Sequence, residues 1–380
     1  MAEKQAMPKL ILISPMLHQG GFERVCVTTA RLLQPFFDVS IVIFDDSDIA
    51  FDISGLNIIN LNLGAKPGKI NKLITLMKRI VKLKKIKREL KPVASYSFGA
   101  TANLSNSLSK VKGVPTWCGI RSYMDMLRKK EVRFIIDRSD MVVCCAKAIE
   151  EELNNEYDFH KTFTLYNPYD KNSIKEASRE DISLPWDPSA MINIISMGRE
   201  DIVKGYWHLI KVFSEVNKQY DNARLIFIGD GDFSAYMKLC EELKIREKVH
   251  FAGLQKNPYK YLKIGDIYAL TSENEGFPNA LVEGMMFGMA AIATDCKTGP
   301  SEILENGKNG ILMPVFSGEP DFDANNVTEE EKAFAMKICE LIANEEELKK
   351  YQRLSEERAS DFTAEAYTKK LCEELMNQRK

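Results

Sequence analysis

Short runs of Leu, Ile, Val and Ala recur along this chain, each followed by a polar or glycine-bearing loop and then by a segment with helical spacing. Apolar runs alternating with helices are the mark of βαβ units, whose strands lie parallel and are covered on both faces. KLILIS at 9–14 opens the series, then HQGG and the helical stretch FERVCVTTARLLQPF. VSIVIF, LNIINL, VASYSF, VPTWCGI and MVVCCA supply further strands, with a long helix from about Ile70 to Leu90 stopped by Pro92. The alternation breaks at YNPYDKNS, 166–173, and restarts with MINIISMG. ARLIFIGDG, VHFAG, DIYALTS and MAAIATD follow as strands, and GYWHLIKVFSEVNKQY is an amphipathic helix between them. A length of 380 residues suits two domains. The expected fold class is α/β, with two consecutive Rossmann-like halves and a hinge near residue 168.

Composition narrows the partners. The net charge of −2 gives no bulk field for nucleic acid. The eight cysteines form no CxxC pair and no Cys/His cluster with ligand spacing, so they read as buried free thiols in a reducing compartment. The N-terminus lacks a signal-peptide apolar region, and no window reaches the ~18 apolar residues of a spanning helix. A cytoplasmic chain is expected, at most peripheral on the inner face of a membrane. The acidic run Asp45–Asp48 has the chemistry to ligate a hard cation but follows the second strand of the first half, far from the elements below. It reads as a solvated loop, and no metal is expected.

The segment TSENEGFPNALVEGMMFG follows the strand DIYALTS and places Glu275 and Glu283 eight positions apart. Gly276, Pro278 and Asn279 come between them, so a helix is expected to start near Asn279. Its first amides would point into the crevice outside the strand's C-terminal end and favour an anion such as a pyrophosphate. Glu275 would sit in the loop above that start, and Glu283 about one turn inside. Carboxylates on either side of an anion-binding helix start suit a molecule with hydroxyls at both ends of a diphosphate, which is the shape of a nucleotide sugar.

This segment resembles the E-x7-E signature of glycosyltransferase family 4, the retaining family with the two-domain GT-B fold. SMGREDIVKGYWHLIKVF resembles that family's G-R-x-x-x-x-K-G element, whose arginine and lysine bind the donor diphosphate, here Arg199 and Lys204. LIFIGDGDF resembles its G-x-G strand end at Gly229 and Gly231. VHFAGLQKNPYKYL, with Leu254, resembles the loop that meets the nucleobase, and LYNPYD the interdomain segment. The resemblance implies parallel sheets facing a central cleft. It implies an acceptor-side domain at 1–168 with a C-terminal helix, 362–380, packing back on it, and a donor-binding domain at 169–361. It gives Glu275 the transferred sugar and Glu283 the ribose, with backbone groups of Phe277, Pro278 and Asn279 near the sugar and distal phosphate. Pro278, without an N–H, contributes shape only.

In the first half, Gly20 and Gly21 allow close backbone approach to a phosphate or sugar and resemble the family's N-terminal glycine loop. His18 is either an acceptor contact or a loop histidine without a chemical role. Where relatives carry a histidine after a middle strand, this chain reads WCGIRSYMD. Arg121 stands nearest that place, to bind phosphate or an acidic acceptor or to serve as a structural ion-pair partner. Between Lys66 and Lys91 the chain is strongly basic, with only Glu89 opposing, while Ile70, Leu73, Ile74, Met77, Ile80 and Val81 form a stripe at helical spacing. The stripe is expected to face the core. The basic back is either solvated or docked on an anionic membrane.

The expected activity is transfer of a hexose-type sugar from a nucleotide diphosphate sugar, UDP being the commoner carrier in the family, to a glycan or lipid-linked acceptor in cell-surface polysaccharide synthesis. No other cofactor is expected. A catalytically idle nucleotide-sugar-binding subunit and a nucleotide-sugar epimerase on the same fold are the alternatives.

Overall fold

The computed structural model describes residues 7–18 and 20–377. The N-terminal residues weighed for a signal peptide, Gln19 of the glycine loop and the last three residues of the expected C-terminal helix lie outside the described residues. The chain divides into two compact units, Met1–Pro168 with Thr363–Lys380, and Tyr169–Phe362.

In the first unit seven parallel strands form one sheet: β1 (Lys9–Ser14), β2 (Asp38–Ile43), β3 (Asn57–Asn60), β4 (Ser95–Phe98), β5 (Thr116–Ile120), β6 (Met141–Cys144) and β7 (Thr162–Thr164), in the order β3-β2-β1-β4-β5-β6-β7. β1, β4 and β5 lie inside the sheet and are buried on both faces, β1 from Leu10 to Ser14. Helices α1 (Gly21–Leu33), α2 (Lys69–Leu90) and α3 (Ala100–Leu108) connect the early strands. The helix Ala364–Asn377 returns to this unit and buries Tyr367, Leu371 and Leu375 in its core. Burying each leucine is worth roughly 1.5–3 kcal/mol, and the Tyr367 hydroxyl bonds Thr29 Oγ1 of α1 at 2.6 Å.

The second unit repeats the plan with six parallel strands: β8 (Ile192–Met197), β9 (Ala223–Ile228), β10 (Val249–Phe251), β11 (Ile267–Leu270), β12 (Ala290–Thr294) and β13 (Ile311–Met313), in the order β10-β9-β8-β11-β12-β13. The order reverses direction between β8 and β11, and an open parallel sheet has its natural crevice at the C-terminal ends of such strands. Trp207, Phe213, Phe227 and Phe334 fill the core on one face of this sheet. Seven of the cysteines are buried, and all eight are free thiols. No helix among the described residues is long and apolar enough to cross a membrane.

The basic helix corrects one expectation. Of its apolar stripe only Ile80 is buried, while Ile70, Leu73, Ile74, Met77 and Val81 are exposed. The inward face instead carries Thr75, Arg79, Leu83 and Lys87. The physical reason is a set of backbone carbonyls beneath it. Arg79 donates twice to Leu63 O, at 2.9 and 2.6 Å, with its guanidinium over the Phe44 ring. Lys82 donates to Leu61 O at 2.6 Å. Lys87 donates to Asn106 O and Ser109 O at the end of α3, both at 3.2 Å.

Burial pushes Lys87 down to about 7. An unfolded chain keeps this proton to about pH 10, whereas the fold releases it from about pH 7 upward. The penalty therefore stands in full below pH 7 and is relieved as pH rises, with a slope of up to ~1.4 kcal/mol per pH unit. The buried thiols act in the opposite sense above about pH 8.5. Urea unfolding between about pH 6.5 and 8 should therefore show wild type gaining more stability with pH than Lys87→Met. Equal gains in the two proteins would mean that Lys87 keeps its charge in the fold.

Candidate functional site

The C-terminal ends of β8, β9, β11 and β12 deliver four loops to one edge of the second sheet, and these loops pack on one another through backbone. Glu273 N–H donates to Val203 O at 2.8 Å, and Glu200 N–H to Asp230 O at 2.6 Å. The two glycines after β9 make this possible. A β-carbon on Gly229 would sit 1.9 Å from Gly198 O, and one on Gly231 would sit 2.1 Å from Glu200 Cβ. The absence of side chains there is accounted for by loop packing against the Arg199 segment.

After β8 the chain makes a 3-10 turn, Ile202–Lys204, capped by the Asp201 carboxylate on Val203 N–H. Gly205 ends it with φ +59°, and Thr271 Oγ1 donates to Lys204 O at 2.9 Å. The Lys204 side chain then runs across Gly198, where a β-carbon would be 3.4 Å from Lys204 Cε. Its ammonium reaches Glu275 Oε1 at 2.7 Å, and the two side chains are only 23% and 10% exposed. Ser272 Oγ donates to the same oxygen at 2.7 Å. Both of these side-chain contacts of Glu275 fall on Oε1. Thr298 Oγ1 donates to the Glu275 carbonyl. Gly299, at φ +96°, lets the stretch after β12 close on Pro278 and Gly276 O.

The helix opens at Asn279 with Pro278 as its N-cap, and runs to Met286. It lies tight on β11, since a β-carbon on Gly284 would meet Tyr268 Cδ2 at 2.5 Å. Glu283 on this helix is buried, 1% exposed, and accepts from Tyr259 OH at 3.2 Å. Tyr169 OH donates to Asn279 Oδ1 at 2.6 Å, which leaves the Asn279 amide nitrogen as that side chain's donor. Phe277 is buried edge-on against Phe362, and Leu254 is 53% exposed in the loop after β10.

Lys204 and Glu275 are therefore brought into contact. Arg199 shares their loop cluster but points to solvent, 75% exposed, with Asp201 Oδ2 at 3.4 Å. Glu283 pairs with Tyr259 rather than with either cation. Tyr259, Tyr169, Ser272 and Thr298 carry no signal in the sequence beyond standing in the segments that hold the motifs. Cys296 lies in the same cluster, but burial first and the Glu275 charge second push its thiol up to about 12, so it stays protonated.

The remaining predicted residues belong to the first unit. Gly20 is the N-cap of α1 and Gly21 its first residue. A β-carbon on Gly20 would sit 2.2 Å from Oε2 of Glu23, the far end of a side chain that can turn aside. His18 is exposed. Arg121 follows β5, donates to Asn167 Oδ1 and lies over Phe98, 5.9 Å from the ring centroid. Asp45 accepts from Ser47 N–H in an exposed turn. Among the described residues no group of three His, Cys, Asp or Glu side chains is arranged to hold a metal ion.

Comparison with known proteins adds four findings. Residues 188–359, which span the whole loop cluster, match the family model described as glycosyl transferases group 1. An uncharacterized glycosyltransferase of Methanocaldococcus jannaschii is 30% identical over 335 residues, 77% of this chain and 82% of that protein. The N-acetylgalactosamine-N,N'-diacetylbacillosaminyl-diphospho-undecaprenol 4-alpha-N-acetylgalactosaminyltransferase of Campylobacter jejuni is 27% identical over 326 residues, 81% of this chain and 87% of that enzyme. Among solved structures, the Anabaena protein HepE in complex with UDP and glucose superposes with a TM-score of 0.77 at 16% identity, over 97% of this chain and 100% of that one. That likeness fixes the fold as GT-B, two Rossmann-like domains with parallel sheets.

Proposed function

This chain belongs to the glycosyl transferases of group 1, and we propose that within that family it is a retaining enzyme moving a hexose-type sugar from a nucleoside diphosphate sugar to a glycan or lipid-linked acceptor in surface polysaccharide synthesis. The observation that carries the reading is the Lys204–Glu275 contact beside the helix that starts at Asn279. It sets an ammonium, a carboxylate and a helix start together at the C-terminal edge of a parallel sheet, which is the set of groups a sugar diphosphate needs. UDP as the carrier is supported by the UDP held by the structural neighbour HepE.

In this reading the diphosphate lies over the first turn of the helix, met by its amides, by Lys204 and by Arg199 swinging in from solvent. Glu275 receives a hydroxyl of the transferred sugar. Glu283, already engaged by Tyr259, receives the ribose hydroxyls, and Leu254 covers the base. With the protein supplying these cations, the reading needs no metal. The acceptor oxygen forms its bond to the anomeric carbon on the face from which the phosphate leaves. The carbon–phosphate oxygen bond breaks, and the acceptor proton passes to the departing phosphate oxygen. Charge grows on that phosphate through an oxocarbenium-like state, where Arg199 and Lys204 stabilise it and the Glu275 carboxylate lies near the positive sugar.

A ligand at 100 times its Kd adds about 2.7 kcal/mol to the stability of its binding state, so a matching nucleotide sugar should raise the melting temperature of the donor unit by about 5–10 °C. A thermal-shift screen over UDP-, GDP- and ADP-sugars reads this directly. No shift with any of them would set the donor assignment aside. Radiolabelled transfer with crude lipid acceptor then separates a transferase from an idle binding subunit or an epimerase.

A further inference from the structure

Among the described residues nothing covers the outward face of α2. Ile70, Leu73, Ile74, Met77 and Val81 stand at positions i, i+3, i+4, i+7 and i+11, so they share one side of the helix. All five are exposed, from 47% at Ile74 to 76% at Ile70. Continued by steps of three and four, that side becomes cationic at Lys84, Lys85 and Arg88, flanked by Lys78. Only Glu89 on this helix opposes them, at 3.8 Å from Lys85. The polar residues that would ordinarily face water, Arg79 and Lys87, point inward to backbone carbonyls. Nothing in the packing of the unit requires five large apolar side chains in water. A contiguous apolar patch with a charged border marks an interaction surface.

We propose that this face is a membrane-docking surface on which α2 lies in the plane of an anionic bilayer. The apolar half enters the boundary between headgroups and acyl chains, and Lys78, Lys84, Lys85 and Arg88 meet lipid phosphates. Charge complementarity selects this occupant. A second copy docked through the same helix face would bring another cationic band and no acid beyond Glu89. A helix with a separate apolar half and a cationic end matches the two layers of an anionic lipid interface. On the footing of the glycosyltransferase reading, the surface also names the acceptor class: a sugar acceptor anchored in the bilayer by a lipid, presented to an enzyme parked beside it.

The test uses the full chain and two variants, Leu73→Gln/Ile74→Gln/Met77→Gln and Lys78→Glu/Lys84→Glu/Arg88→Glu. Co-sedimentation is measured with vesicles of phosphatidylcholine alone and with one-third phosphatidylglycerol. Wild type should pellet with the anionic vesicles only. The charge variant should lose roughly 100-fold or more in partitioning, at about fivefold per cation near an anionic surface, and the apolar variant should fall below detection. Both variants should keep the wild-type melting temperature and the wild-type shift with nucleotide sugar, because no altered residue belongs to the donor site. That last readout separates a failure of this proposal from a failure of the donor assignment. Wild type staying in the supernatant with anionic vesicles would overturn the proposal. So would an apolar variant that pellets as wild type does, or a wild-type dimer in sedimentation velocity that the apolar variant dissolves.

Discussion

Lys204→Ala is expected to lower kcat by about 10²–10³-fold, the loss typical of one group removed from developing charge in a preorganised site. Two effects are mixed in that number. The ammonium would stabilise the leaving phosphate, and it also neutralises Glu275, whose side chain is only 10% exposed. Removing one member of such a pair leaves the other charge poorly solvated, so some of the loss could be distortion of the loop. The double variant Lys204→Met/Glu275→Gln separates them. With both charges gone the structural penalty is relieved, and its melting temperature should approach that of wild type. Transfer should remain as slow as in the single variant or slower, since neither leaving-group nor sugar contact is restored. Stopped-assay kcat at saturating donor, together with thermal melts, makes the comparison. A Lys204→Ala enzyme with full transfer rate would show that the ammonium serves the loop alone.

The fold was largely readable because strands buried on both faces must be written as apolar runs. The strands that escaped are β7 and β13, three residues each at sheet edges, where a short run such as TFT carries too few positions to show a pattern. The basic helix failed for a different reason. Spacing says which residues share a side of a helix, not which way that side points. Here the carbonyls of Leu61, Leu63, Asn106 and Ser109 recruited Arg79, Lys82 and Lys87 inward and turned the stripe out. In the site, Lys204 and Glu275 stand 71 positions apart. Their meeting follows from β8 and β11 being neighbours in the sheet. Chain order alone would not give that pairing, since β9 and β10 intervene in sequence. Tyr259 and Tyr169 were illegible, because a tyrosine in a sequence announces neither burial nor partner.

Gly205→Val is expected to be nearly as damaging to transfer as the loss of Lys204 itself, although residue 205 touches no substrate in this reading. The backbone there is left-handed, φ +59°, which costs a side-chain-bearing residue roughly 1–2 kcal/mol and a β-branched one more. A β-carbon would also stand 2.5 Å from Thr271 O. That atom is backbone of the residue directly after strand β11 and cannot give way as a flexible side chain would, so the 3-10 turn must move instead. The turn carries Lys204 on one side and begins the buried helix Tyr206–Asn217 on the other. The helix is anchored by Trp207, Leu209 and Ile210, all fully buried, so the displacement falls on Lys204. An error of about 1 Å in a positioned group can cost on the order of 10²-fold in rate. Gly205→Ala shares the clash and the strained φ but spares the β-branch, and should fall between wild type and valine in both rate and melting temperature. Should Gly205→Val melt several degrees lower yet transfer sugar at the wild-type rate, the Lys204 position is not set by this turn, and the contact with Glu275 loses its standing as the element that organises the site.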